Sequence, residues 1–70
     1  DRLSNFRRAA EMQRITPAQA CWNFLVKHVI SIQDMVESGR EYPREKWDEK
    51  IGDFVNYGIL LEAIVQEGRG

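Results

Sequence analysis

Sulfur and imidazole are scarce in this chain, which has a single cysteine, Cys21, and a single histidine, His28. One thiol excludes an internal disulfide, and one Cys with one His leaves a Cys/His zinc site far short of its four ligands. No Gly-rich phosphate loop, HExxH, GxSxG or CxxC motif is present, so no catalytic residue is nominated. No apolar run approaches the roughly 18 residues of a membrane span, and no signal-peptide pattern opens the chain. The net charge of −1 excludes a global pull towards nucleic acid or acidic membranes. A lone free thiol suits a reducing compartment, so an intracellular, cytoplasmic setting is expected. The first residue is Asp1 rather than methionine, so further residues, and with them part of any site, are expected ahead of it.

What is present is helical. Seventy residues make one domain, and the only punctuation falls at Thr16-Pro17, Ser38-Gly39, Pro43 and Gly68. These marks leave three helical segments, about 3–13, 17–38 and 43–67, and no strand candidate. The first carries Leu3, Phe6 and Ala10 on one side and arginines elsewhere, and is too short to persist undocked. The second opens with Thr16 as N-cap, Pro17 as first helical residue and Gln19 as the far half of a capping box. Gly39 is placed to end it in the left-handed conformation. Ser31-Ile32-Gln33-Asp34 also has capping-box form and marks where a separate helix would begin.

Two apolar seams follow. Ala18, Trp22, Leu25, Val29, Ile32 and Val36 recur at alternating four- and three-residue steps, and Trp47, Ile51, Phe54, Gly58, Leu61 and Val65 repeat the pattern. Two long helices with matching seams and a short linker predict an antiparallel αα-hairpin, with Trp22, Leu25, Val29, Ile32, Trp47, Phe54 and Leu61 as core or interface. Gly58 in the seam predicts a close helix approach, making room for Trp22 or Trp47. Both helices are apolar beyond the seam. Cys21, Phe24, His28 and Met35 flank the second on one side, with Val26 and Ile30 on the other; Val55 and Ile59, then Tyr57, Leu60 and Ile64, flank the third. A hairpin has one inner face and the short first helix covers one flank. Burying each large side chain is worth about 1.5–3 kcal/mol, and domains this small lean on a disulfide, a metal or a partner chain. A second copy, forming a helical-bundle dimer, or another protein partner is therefore expected to cover the rest.

Charge is uneven along the chain. Residues 1–16 carry a local +2 and residues 51–70 a local −2, so the basic first helix is expected to face the acidic last one. Arg7, Arg8 and Arg14 are the candidate phosphate contacts, but the cluster is small and nucleic acid is not the expected partner. Asp53 falls on the wheel beside Tyr57, Leu60 and Ile64, and a carboxylate there needs a partner; Lys27 and the arginines of the first helix are the candidates. Glu49 lies one turn before Asp53 and Asn56 one turn beyond. Lys27, Glu49, Asp53, Asn56 and Tyr57 thus form a candidate polar network or ligand site. Glu49 and Asp53 are within reach of one hard cation, although no resident metal or cofactor is expected. His28 reads as a core or interface histidine, and its seven-residue separation from Cys21 is too long for a nucleophile pair.

The stretches NFRRAAEM, TPAQACWNFLVKHVISIQDM and EKIGDFVNYGILLEAIV resemble small helical proteins of phages and prophages, those of the nucleotide-modification-associated type 1 family. That resemblance implies a site at Asn5, Phe6, Lys27, Glu49, Asp53, Asn56 and Tyr57. EKIGDFVNY is also similar to the second half of the acidic motif of MazG-type all-α nucleotide pyrophosphohydrolases, in which ExxE and ExxD carboxylates bind magnesium. This chain departs from the motif: Lys50 stands where the ExxD glutamate belongs, and Asp34 and Glu37 are the nearest substitute for the missing pair. Under this alternative the protein is a nucleotide binder or magnesium-dependent pyrophosphohydrolase. The leading expectation is a small, phage-type helical interaction or scaffold protein, not an enzyme, that works by self-association and partner binding.

Overall fold

The computed structural model describes residues 2–69; Asp1 and Gly70 lie outside the described residues. It is a three-helix, all-α protein, with α1 at Arg2–Gln13, α2 at Pro17–Ser38 and α3 at Arg44–Arg69, and no strand among the described residues. α2 packs against both α1 and α3. The molecule is long, about 43 × 20 × 18 Å. Its radius of gyration of 14.1 Å exceeds the roughly 11 Å of a compact domain of this length.

Local chemistry explains where the helices begin and end. Thr16 is extended, its side chain accepts from the Gln19 N–H at 3.1 Å, and the Gln19 side chain accepts from the Thr16 N–H at 2.8 Å. The capping box is therefore complete, with Pro17 in the first turn. Gly39 ends α2 with φ +69°, a conformation that costs a Cβ-bearing residue about 1 kcal/mol. α2 runs unbroken through Ser31, so the capping-box form at Ser31–Asp34 does not start a new helix. Pro43 precedes α3 and its carbonyl accepts from the N–H groups of Lys46 and Trp47. Ser38 ties down the linker: its hydroxyl donates to the Met35 carbonyl, accepts from the Arg40 N–H and lies 3.2 Å from the Tyr42 hydroxyl. Tyr42 in turn meets Trp47 edge-on. Gly68 does not end α3, which continues to Arg69.

α1 ends at Gln13, as expected, but the form of its stop was not foreseen. Ile15 N–H bonds to the Ala10 carbonyl at 3.0 Å and Arg14 N–H to the Glu11 carbonyl at 3.3 Å, with Arg14 at φ +58°. This is the paired hydrogen bonding of a Schellman stop, with the apolar residue after the stop folded back. Arginine occupies the left-handed position that glycine usually fills. Ile15 packs against the cluster that contains Ala10.

The core is built from small residues and one aromatic. Phe6, Ala10, Ala20 and Cys21 form its centre, with Ile15, Tyr57, Leu60, Leu61 and Ile64 packed around them; Leu25 and Met35 are also buried. The inward stripe of α2 is thus Cys21, Leu25, His28, Ile32 and Met35, and that of α3 includes Lys50, Tyr57 and Ile64. The sequence pattern put the seam one residue further along. In the structure Trp22, Val29, Val36, Ile51, Phe54 and Val65 of that expected seam are exposed. Leu25 is buried, and Ile32, Trp47 and Leu61 are half-buried. The reason is size. Cys21, wholly buried, lets its sulfur come within 3.7 Å of the Tyr57 carbonyl, an approach that a tryptophan in its place would prevent. Gly58 also departs from the expectation. A Cβ built there meets nothing within 4 Å, so the missing side chain serves no close approach to Trp22 or Trp47 inside this chain.

Candidate functional site

Tyr57 is the hub of the polar and aromatic residues. Its ring stacks on His28 at 4.7 Å and on Phe24 at 6.1 Å, and meets Phe6 edge-on at 6.1 Å. Phe6 also meets Phe24 edge-on at 5.6 Å. Edge-on and offset pairs of this kind add about 0.5–1.5 kcal/mol beyond area burial. Three helices contribute: Phe6 from α1, Phe24 and His28 from α2, Tyr57 from α3. The cluster reads as the anchor that docks α1, because Phe6 is its one buried ring. Beside it Asn5, Phe6, Ala9, Phe24 and Tyr57 line a cleft of about 210 Å³.

The predicted site residues are only partly brought together. Asn5, Phe6 and Tyr57 share the cleft. Lys27 is exposed, with its ammonium 5.4 Å from the centre of the Phe24 ring, a cation–π placement worth about 0.5–1 kcal/mol at the surface. Asp53 is half-buried, while Glu49 and Asn56 are exposed. No ion pair joins Lys27 to Asp53 among the described residues; the Lys27 ammonium lies over the Phe24 ring instead. No group of three or more His, Cys, Asp or Glu side chains placed to hold a metal ion is found among the described residues.

The arginines do not converge either. Arg7 pairs with Glu67, joining α1 to the end of α3, as the charge asymmetry led us to expect. Both side chains are about half exposed, and such surface pairs contribute about 0–1 kcal/mol. Arg8 is exposed and Arg14 sits at the α1 stop. Next to the Arg7–Glu67 pair an open groove of about 500 Å³ runs between the start of α2 and the end of α3, with Leu3, Ala18, Ile64 and Val65 in its walls. Cys21 offers no accessible nucleophile: burial pushes its thiol pKa up, which keeps it protonated and inert.

No family model, curated protein or solved structure matches the chain.

Sequence reasoning missed the cluster as a cluster. The signal was there in the seven-residue spacing of Cys21, His28 and Met35 and of Lys50, Tyr57 and Ile64, which marks a second stripe on each helix. No helix among the described residues is long and apolar enough to cross a membrane.

Proposed function

We propose that the protein is a small helical interaction or scaffold module that acts by self-association, with α2 and α3 as an antiparallel hairpin in a dimeric helical bundle. A five-residue linker, 39–43, between two long helices that pack together supports the hairpin. One observation carries self-association: the chain exposes more surface, and more apolar surface, than a lone domain should. Its accessible area is 5457 Å², against about 4,500 Å² for a compact monomer of this mass. Trp22 is 51 % exposed and Val36 65 %. Single exposed apolar residues are ordinary, but a contiguous face marks an interaction surface. Sedimentation equilibrium tests the reading. The expected result is a two-chain mass at tens of micromolar; a helical species of single-chain mass throughout that range would overturn it.

A second reading, a nucleotide ligand, has one supporting observation: Asn5, Phe6 and Tyr57, three of the residues implied by the phage-family resemblance, line one cleft. Its 210 Å³ is below the roughly 300–1,000 Å³ of small-molecule sites, so we place it second. A rise in melting temperature with a nucleoside triphosphate and magnesium, lost in Asp53→Asn, would promote it.

A further inference from the structure

We infer that a second copy of the chain docks on the face formed by Trp22, Val29 and Val36 of α2 with Ile51, Phe54 and Val65 of α3, which makes the hairpin one half of a four-helix bundle. The inference rests on the self-association proposed above and assigns it a surface. Steps of seven residues fall about 20° short of two full turns. Trp22, Val29 and Val36 therefore keep to one narrow strip of α2, as Ile51, Gly58 and Val65 do on α3. Each strip lies one residue, about 100°, beyond the stripe that faces the neighbouring helix. In an antiparallel pair that rotation carries both strips to the same side of the two-helix layer. α1 occupies the other side, where Phe6 meets Phe24 and Tyr57.

Three observations point to a copy of the same face as the occupant. First, none of the residues at the two seams carries charge, so the mating surface must itself be apolar, and an isologous two-fold contact presents one from every molecule. Second, the surface excess of about 900 Å² over a compact monomer matches the roughly 800 Å² that each partner buries in a standard stable interface. Third, Gly58 lies in the middle of the α3 strip with open space where its Cβ would be. The same holds at Gly52 and Gly68, but Gly58 alone lies on the strip, where the missing side chain leaves room for a helix from a second copy to come close.

The test compares association constants, by sedimentation, of the full chain and its variants, with circular dichroism confirming helicity. Val29→Glu and Ile51→Glu place a charge on the face and are expected to weaken association by about 100-fold or more. Ile30→Glu and Ile59→Glu change residues that are as exposed but lie on the outer edges, and are expected to shift it by less than about threefold. Gly58→Ala cannot clash within the chain, and is expected to weaken association by about 10-fold or more through overpacking. A dimer untouched by the face variants, or broken instead by the edge variants, overturns the face while self-association stands. A wild-type chain of single-chain mass overturns both.

Discussion

Each long helix carries two heptad stripes, one residue apart, and they behave oppositely. The inner stripe, Cys21, His28 and Met35 on α2 and Lys50, Tyr57 and Ile64 on α3, is buried or half-buried. The outer stripe, Trp22, Val29 and Val36 with Ile51, Gly58 and Val65, is exposed. Yet the outer stripe is the more apolar of the two. Hydrophobicity alone would reverse the arrangement, since burying a Val, Ile or Trp gains more than burying a His or Lys. What decides the inner stripe is fit. A small thiol at Cys21 and alanines at 10 and 20 let helices approach closely, and a stacked His28–Tyr57 pair fills the space beyond. The greasier stripe is left facing outward, where the proposed second copy would cover it.

Substitutions separate the two stripes, with unfolding followed by circular dichroism in urea. The largest effect is expected at Phe6→Ala, which removes the buried ring that docks α1 on the side opposite the outer stripe. The expected cost is about 3–4 kcal/mol, and an unchanged urea midpoint would mean α1 is held by something else. Next, Leu25→Ala on the inner side should cost about 3 kcal/mol at any protein concentration. Val29→Ala should cost within about 0.5 kcal/mol when measured dilute enough to be a single chain. Equal costs for the two would erase the distinction between stripes.

The remaining effects are smaller and local. Thr16→Ala opens the capping box and should cost about 1 kcal/mol, visible as a lower midpoint with unchanged slope. Arg14→Gly relieves a left-handed arginine and should raise stability by about 0.5 kcal/mol; a decrease would mean the arginine side chain contributes more than its backbone costs. Cys21 sets a pH effect. Burial raises its thiol pKa above the ordinary 9.0, so the unfolded chain loses this proton first. The contribution is fully present below about pH 9 and is lost as pH rises through the folded pKa. Stability should decline above pH 9 and the decline should vanish in Cys21→Ala.

Much of the fold was legible because it is written in short-range chemistry. Thr16, Pro17 and Gln19 need only each other to start α2, and Gly39 needs only its own backbone to end it. The stop after Gln13 was marked by the Thr16-Pro17 start that follows it, but its left-handed form at Arg14 was hidden because the usual glycine is absent. The choice between stripes was illegible for a different reason. Both have the same seven-residue period, and periodicity reports that a face is apolar without saying what covers it. The most apolar face was taken for the inside of the hairpin, whereas side-chain size selects its neighbour. The candidate site suffered likewise. Tyr57 and Asn5 could be named singly, but the partner of Lys27 depended on the side-chain conformation it adopts, which places its ammonium over the Phe24 ring.

The most direct measurement is the emission of Trp22, the largest side chain on the outer stripe, in a Trp47→Phe background that leaves it as the sole indole. Followed across the concentration range over which the mass is measured, its spectrum should move from a water-exposed to a blue-shifted position in step with the rise to two chains. A water-exposed emission at every concentration, in a chain that is folded and dimeric, would contradict the account.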